Sequence, residues 1–304
     1  MKIFSGFASL VLAAGTISTI YSEARCPGDV AVVHFQVVNR HHTLIDVSIN
    51  HSGPYTFLLD TGAQSTLIDR PLAAELNLKF GKTAAIVANA GTTSFASFAN
   101  VELLQTGSHS VANLAVLVYD LQNLTLEKHL IRGILGEDFL ERFDVLIDNA
   151  HNLLCLDDSA TMRANIRGQH IALLPSGRSS NSWPEPAELI VTVRLSSSKR
   201  PLRLKLDSGA NVSILFNVAE FMRPGQSLAP RLDVNGVDGA HEFSSLPLQE
   251  VGIGSLDLTD VSFVARRRNA NTTDMAKLDG LLPTGLFRRV FIDHADHFAV
   301  LETW

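Results

Sequence analysis

Two aspartates in nearly identical surroundings are the residues of this sequence best suited to chemistry. The segment 59–64, Leu-Asp-Thr-Gly-Ala-Gln, recurs at 206–211 as Leu-Asp-Ser-Gly-Ala-Asn, an offset of 147 residues. A lone Asp-Thr/Ser-Gly tripeptide usually marks a turn, because Asp and Gly both favour turns. Here each copy follows an apolar strand, and a carboxylate delivered by a buried strand is costly unless it has a partner. Duplication supplies that partner, since a pseudo-twofold axis would bring Asp60 and Asp207 face to face.

A close pair of carboxylates has a defined chemistry. The two groups cannot both ionise easily, so they titrate as a coupled pair that holds one proton. Such a pair acts as base and acid at once. The ionised member takes a proton from a water lying between them, and the protonated member gives one to the oxygen of an amide carbonyl. The sequence therefore predicts amide hydrolysis through a tetrahedral diol at Asp60 and Asp207.

The residues that follow each aspartate are suited to hold this pair. Thr61 and Ser208 place a hydroxyl directly after each aspartate, and we expect these hydroxyls to fix the two loops by hydrogen bonds. Gly62 and Gly209 are predicted to permit a tight turn and to expose backbone N–H groups to the carboxylates.

The aspartate motif is one of several landmarks that repeat in order along the chain. Each landmark has a counterpart 145 to 148 residues later: 133–135 and 280–282, Gly91 and Gly239, Phe95 and Phe243, 147–148 and 292–293. Chance would scatter such matches. The sequence therefore predicts two homologous halves, 25–160 and 165–304, after an N-terminal segment 1–24.

Each half is predicted to be mainly β. The stretch 30–38 is rich in β-branched residues, and a hairpin is expected over 143–156. Helices are few and short: one is expected over 69–76, with Asp69 as N-cap and a proline in the first turn, and another over 136–142.

The motifs together resemble the retropepsin-like aspartic proteases, specifically the exported bacterial kind with two such units in one chain. Asp60–Ala63 and Asp207–Ala210 match the family's catalytic loop residue for residue, and 134–140 matches its hydrophobic-hydrophobic-glycine segment with the following helix. The resemblance implies two homologous acid-protease-like β-barrel lobes related by a pseudo-twofold axis. It also implies an aspartic endopeptidase with its active site between the lobes and with no metal or cofactor.

The resemblance extends to support and substrate positions. It implies that Ala63 and Ala210 support the two catalytic loops. Both halves have a glycine-containing hairpin, with Gly91 and Gly239 as the candidate flap residues that contact substrate. The partner is then a polypeptide substrate, and the chain is expected to be a monomer because it holds both lobes.

The sequence departs from the family pattern in two places. Pro283 stands where the family prefers the glycine of the hydrophobic-hydrophobic-glycine segment, so the backing of the second loop is expected to differ. The candidate flap at 85–98 has no tyrosine, whereas pepsin-like enzymes carry one. Two similar flaps are closer to the retroviral-type arrangement.

The position after each loop glycine bears on the pH dependence. Pepsin-type loops usually carry Ser or Thr there, and its hydroxyl stabilises the ionised carboxylate and lowers the pKa. Ala63 and Ala210 lack that donor. The pair is therefore expected to hold its shared proton to higher pH, with activity peaking in mildly acidic solution.

The N-terminus and the charge balance indicate the compartment and the partners. Residues 1–24 read as a secretory signal peptide with a positive Lys2 and an uncharged stretch from Ile3 to Ile20, so a periplasmic or secreted protein is expected, without stable membrane insertion. An uncleaved membrane anchor is the alternative. Lys plus Arg is 25 and Asp plus Glu is 31, a net charge of −6, which argues against nucleic acid as a partner.

The two cysteines and two charged clusters each have competing interpretations. Export permits a disulfide between Cys26 and Cys155, and the family's fold can bring the terminal strands of a unit together; two unpaired thiols are the alternative. The segment 293–297, Asp-His-Ala-Asp-His, suits no standard zinc spacing and is predicted to be a polar hairpin turn, with a metal cluster as the alternative. The arginine run 266–268 is predicted to be a solvated loop, with a nucleic-acid or membrane patch as the alternative.

Two other functions compatible with the same fold stay open at this point. One is a catalytically silent descendant that binds peptide in the cleft. The other is a structural or assembly protein of the cell envelope that uses only its β surfaces. The retained aspartates and their adjacent hydroxyls argue against the silent descendant, and a solidly filled cleft would support the envelope protein.

Overall fold

The computed structural model of the chain describes residues 25–39, 41–89, 92–121, 124–175, 186–216, 231–236, 239–265 and 278–304. The predicted signal segment 1–24, Gly91 and the arginine run 266–268 lie outside the described residues. Their predicted roles therefore stay predictions.

The first half is built from β-strands with short helices between them. Its strands are β1 (Val32–His34), β2 (Gln36–Val38), β3 (His42–Ile49), β4 (Ser52–Leu59), β5 (Leu67–Asp69), β6 (Phe80–Asn89), β7 (Thr92–Thr106), β8 (His109–Tyr119), β9 (Thr125–Leu126), β10 (His129–Leu130), β11 (Gly133–Leu135), β12 (Asp144–Asp148) and β13 (Leu153–Asp157). Its helices are α1 (Arg70–Glu75), α2 (Glu137–Leu140) and a 3-10 turn at Pro27–Asp29, and α3 (Thr161–Asn165) follows at the boundary between the halves.

The second half repeats this composition. Its strands are β14 (Ile171–Ala172), β15 (Ile190–Leu195), β16 (Leu202–Asp207), β17 (Ser213–Leu215), β18 (Arg231–Gly236), β19 (Gly239–Ser245), β20 (Gln249–Ile253), β21 (Leu256–Val261), β22 (Phe263–Ala265), β23 (Gly280–Pro283), β24 (Arg289–Asp293) and β25 (Phe298–Glu302), with a 3-10 turn at Thr284–Leu286. The predicted mainly-β fold class is confirmed. No helix in the described part of the chain is long and apolar enough to cross a bilayer.

Each half has one large sheet, and the two sheets share a central arrangement. The first has the order β2-β3-β4-β11-β5-β8-β7-β6, and the second β18-β19-β22-β17-β23-β16-β15-β20-β21. In both, the strand that ends at the aspartate pairs in parallel with the strand of the Gly-apolar-apolar segment, β4 with β11 and β16 with β23. That segment is in turn antiparallel to the strand after the aspartate loop, β5 or β17. The predicted pair of homologous lobes is thus present.

A third sheet, with the order β1-β13-β12-β24-β25-β14, joins the two halves. Its centre is the antiparallel pair β12 and β24, in which Val145 faces Ile292 and Asp148 faces Arg289. The hairpins β12–β13 and β24–β25 are equivalent parts of the two halves, so this pairing places the pseudo-twofold axis between them. Every residue of β12 and β13 is buried, because the largely apolar strands lie within the shared core.

Local structure departs from the sequence prediction at Asp69. Helix α1 begins after Asp69 as expected, with proline in its first turn, but the Asp69 side chain makes no capping hydrogen bond. Its Oδ1 instead accepts from the N–H of Leu121 at 3.1 Å. Asp69 ends β5 opposite Tyr119 of β8, which places it next to Leu121 in the segment that follows β8.

A disulfide joins Cys26, just before the first 3-10 turn, to Cys155 of β13, 129 residues away. Both residues are buried, in a cluster that includes Met162 and Phe291. Replacing both cysteines by alanine is expected to lower the free energy of unfolding by about 2–4 kcal/mol, because the cross-link constrains the unfolded chain.

Urea-induced unfolding measures the change, and a peptide map of the non-reduced protein tests the linkage itself. Two freely alkylated thiols in that map, or unchanged stability in the double variant, would contradict the expectation.

Candidate active site

The two aspartates lie at equivalent points of the two lobes, each at the end of a buried strand. We call residues 60–63 the first aspartate loop and residues 207–210 the second aspartate loop. The N–H of Asp60 donates to the carbonyl of Leu135 on β11 at 3.0 Å. Asp207 lies opposite Pro283 in the equivalent β16–β23 pair. The parallel ladder therefore fixes where each loop begins.

Hydrogen bonds between the lobes hold the two loops together through Thr61 and Ser208. The N–H of Thr61 donates to Oγ of Ser208 at 3.0 Å, and the N–H of Ser208 donates to Oγ1 of Thr61 at 3.0 Å. Each hydroxyl then donates across the axis, Thr61 to the carbonyl of Leu206 at 3.1 Å and Ser208 to the carbonyl of Leu59 at 2.9 Å. Both hydroxyls are buried and have donor and acceptor partners, so the network fixes the separation of the aspartates.

Backbone N–H groups of each loop hold one oxygen of its own carboxylate. Asp60 Oδ1 accepts from the N–H groups of Gly62 at 2.8 Å and Ala63 at 3.1 Å. The second aspartate loop repeats the pattern: Gly209 and Ala210 each donate to Asp207 Oδ1 at 2.8 Å. The two carboxyl groups also act on each other, because, in addition to burial, the negative charge of Asp60 raises the pKa of Asp207. The structure thus brings the two predicted aspartates together.

Glycine is needed in both loops because the opposite carboxylate approaches it closely. A Cβ on Gly62 would lie 2.5 Å from Cγ of Asp207, and a Cβ on Gly209 would lie 2.5 Å from Cγ of Asp60. Both glycines donate their N–H groups as predicted, but neither has a positive φ. Close approach across the axis is therefore what excludes a side chain at both positions.

The surroundings of the pair favour retention of a proton. Burial raises the pKa of Asp60, although the N–H of Gly62 and the charge of Lys205 oppose the shift. Burial, followed by the charge of Asp60, raises the pKa of Asp207, again against the charge of Lys205. Asp207 is buried, whereas Asp60 is partly accessible. Such a pair offers a proton donor and a proton acceptor at one point.

Helix α2 supports the first aspartate loop from within the first lobe. The N–H of Glu137 donates to the carbonyl of Ala63 at 2.8 Å. Thr66 then links this helix to the strand after the loop: its Oγ1 accepts from the N–H of Gly136 at 3.2 Å and donates to Asp138 Oδ1 at 2.6 Å. Burial, opposed by the hydrogen bonds from Thr66, raises the pKa of Asp138 to about 6.

This support is absent from the described part of the second lobe, in agreement with the departure expected at Pro283. Ser213 occupies the position of Thr66, and its buried hydroxyl has no hydrogen-bond partner among the residues that the structure describes. Pro283 has no N–H to donate to it, and Gly285 stands where the first lobe has Asp138. The second aspartate loop nevertheless keeps both of its N–H bonds to Asp207. The difference is thus confined to the residues that pack behind that loop.

Two charged features of the site escape the sequence analysis. Lys205 lies in β16 among apolar neighbours, and its Nζ donates to the carbonyl of Gly62 at 2.8 Å. Its counterpart in the repeat is Leu58, so aligning the halves gives a signal for this residue.

Glu137 is buried and lies 2.9 Å from His294 Nε2, joining the two halves. Hydrogen bonding to Glu137 raises the pKa of His294 despite its burial, which acts in the opposite direction.

The candidate flaps correspond to a hairpin in each lobe. Strands β6 and β7 form the first hairpin, which exposes Phe95 on β7. Strands β18 and β19 form the second, and Gly239 pairs with Gly236 at its end.

The cluster 293–297 spans the end of β24 and the turn to β25. Within the described residues, no group of three His, Cys, Asp or Glu side chains is arranged to hold a metal ion.

Comparison with known proteins agrees with this architecture. Residues 45–139, which include the first aspartate loop, match a family model described as aspartyl protease. The aspartic proteinase from Irpex lacteus has a similar structure, with a TM-score of 0.50 and 12% identity over 90% of this chain and 97% of that chain. A retropepsin-like aspartic protease from Rickettsia conorii matches with a TM-score of 0.30 and 23% identity over 41% of this chain and 88% of that chain. No curated protein matches the sequence.

The fold is that of the aspartic proteases, with one lobe from each half of the chain. The resemblance to retropepsin-like aspartic proteases predicted from the sequence is confirmed. Family match and fold together support a peptidase.

Proposed function

We propose that the protein is an aspartic endopeptidase that hydrolyses peptide bonds with a water activated between Asp60 and Asp207. The observation that carries this proposal is the close approach of the two aspartates across the axis, where a Cβ on Gly62 or Gly209 would lie 2.5 Å from Cγ of the opposite aspartate. Loop N–H groups hold each carboxylate in place. Both pKa values are raised by burial, so the pair retains one proton while the other carboxylate is ionised.

In each step of the proposed reaction, one aspartate accepts a proton and the other donates one. The ionised carboxylate takes a proton from the water as the water oxygen bonds to the carbonyl carbon. The protonated carboxyl group gives its proton to the carbonyl oxygen, which yields a diol. The diol collapses when one of its hydroxyl groups gives a proton to the ionised carboxylate and the protonated carboxyl group gives its proton to the leaving nitrogen. The C–N bond breaks, and the pair regains its single proton.

The arrangement of the lobes favours a polypeptide substrate. The aspartates come from two lobes of one chain, each of which carries a hairpin, so the pair is complete without a second copy. This supports a monomer, with Gly91 and Gly239 as candidate substrate contacts. The disulfide between Cys26 and Cys155 supports a periplasmic or secreted location, because disulfides persist outside the reducing cytoplasm.

Digestion of unfolded casein tests the proposed activity. The products are identified by mass spectrometry, with and without pepstatin, a peptide inhibitor that binds between paired catalytic aspartates. Internal fragments that disappear with pepstatin are expected. Release of terminal residues alone would contradict an endopeptidase, and peptide binding without any cleavage would instead support the catalytically silent alternative.

The double change Ala63→Ser and Ala210→Ser is expected to shift the profile of kcat/KM against pH to lower pH by about one unit. A hydroxyl at each position can donate to the ionised carboxylate; a hydrogen bond to a charged group contributes about 1.5–3 kcal/mol, and one pKa unit corresponds to about 1.4 kcal/mol. Ala74→Ser on the exposed face of α1 is the matched control. An unchanged profile would show that these positions do not control the pair.

A further inference from the structure

Lys205 is a residue beside the aspartate pair at which the two lobes differ. It lies on β16 two residues before Asp207 and is 5% exposed. Its Nζ crosses to the other lobe and donates to the carbonyl of Gly62 at 2.8 Å. On its other side, Nζ lies 3.4 Å from Oε1 of Glu188. A cation of the second lobe therefore binds the first aspartate loop directly.

The fold itself does not require a lysine at this position. The equivalent residue of the first lobe is Leu58, which is buried in the same kind of strand. A buried ammonium is costly unless it is paired and hydrogen-bonded, and replacing such a group by an apolar side chain is often neutral or stabilising. The contacts of Lys205 with Gly62 and Glu188 therefore indicate a role beyond packing.

We propose that Lys205 is a positioning residue of the active site, which holds the first aspartate loop from the second lobe and supplies the positive charge shared by the carboxylates around it. This inference rests on the proposed function of Asp60 and Asp207. Lys205 acts through the loop and through its charge, without contact to the reacting atoms.

The carboxylates around Lys205 come from several elements. Asp60 and Asp207 belong to the two aspartate loops, and Glu137 of α2 is paired with His294 of the turn after β24. The positive charge of Lys205 lowers the pKa of Asp60, Asp207 and Glu137 against the larger effect of burial. Glu188 offsets part of that positive charge. Lys205 thus limits the pH up to which the aspartate pair keeps its shared proton.

Two substitutions with opposite expected signs test this role. Lys205→Met removes the charge, so the alkaline limb of kcat/KM is expected to move to higher pH by about one unit, the lower end of the effect of a nearby opposite charge. Glu188→Gln removes the offsetting charge and is expected to move the same limb to lower pH by a smaller amount. Lys199→Met, at an exposed turn, is the matched control and should leave the profile unchanged.

A titration that does not depend on activity separates this inference from the proposed function. The ¹³C carboxyl signals of Asp60 and Asp207 are followed against pH in the wild-type protein and the variants, with Asp→Asn substitutions to assign them. Shifted titration midpoints of opposite sign support the role of Lys205, even if no peptide is cleaved. If peptides are cleaved but the titration midpoints and the alkaline limb of kcat/KM are the same in all variants as in the wild-type protein, Lys205 is only structural. If Lys205→Met does not fold, Glu188→Gln decides the outcome alone.

Discussion

Replacing either Asp60 or Asp207 by asparagine is expected to lower kcat by about 10³-fold or more. Asparagine keeps an oxygen that can accept from the loop N–H groups, so the loops remain held. Its amide can neither take the proton of the water nor give one to the carbonyl oxygen. Because one proton serves both carboxyl groups, loss of either member removes acid and base function together. The measurement is kcat for an internally cleaved peptide.

The stability of these variants distinguishes lost chemistry from lost structure. The folded-state pKa values of both aspartates are raised, so their contribution to stability is present below the usual pKa of aspartate and is lost as pH rises through the raised values. Asparagine does not titrate, so a variant does not lose this stability as the pH rises. The variants should therefore unfold at an equal or higher temperature at neutral pH. Asp257→Asn, at a side chain 84% exposed, is the matched control for the substitution itself. Near-normal turnover in either active-site variant would rule out the shared pair.

The aspartate pair could be predicted from the sequence because the information is repeated. Each half specifies the same strand, loop and Gly-apolar-apolar segment, and two copies related by an axis determine which residues meet. The hydroxyls of Thr61 and Ser208 follow from the same symmetry, because each needs a partner that the other loop provides. The effect of Pro283 was also predictable, since proline lacks the N–H that Gly136 donates to Thr66.

Residues that differ between the halves are harder to predict. Lys205 in an apolar strand gives no indication of its acceptor, because Gly62 is 143 residues away and belongs to the other lobe. The same is true of Glu137 and His294, which are 157 residues apart. Asp69 shows the local version of the problem: its position favours an N-cap, but a tertiary contact with Leu121 takes its carboxylate.

The two loop glycines give the second large expected effect. In Gly62→Ala the new methyl group would overlap Asp207, and in Gly209→Ala it would overlap Asp60, each with a Cβ to Cγ separation of 2.5 Å. The affected carboxyl group cannot turn away freely, because two loop N–H groups hold one of its oxygens. A displacement of about 1 Å at a reacting group lowers the rate by about 10²-fold, and overpacking costs about 1–3 kcal/mol of stability.

Gly285→Ala is the matched control, because a Cβ on Gly285 has nothing within 4 Å. It replaces a glycine in the second lobe at the position where the first lobe has Asp138, so it tests the same chemical change without the overlap. We expect kcat and unfolding temperature to be nearly unchanged in this variant and both to fall in Gly62→Ala and Gly209→Ala. Since each alanine displaces the aspartate of the opposite lobe, the pH profile of residual activity should change as well. Full activity in either loop variant would mean that the two aspartates are not held as close together as this arrangement requires.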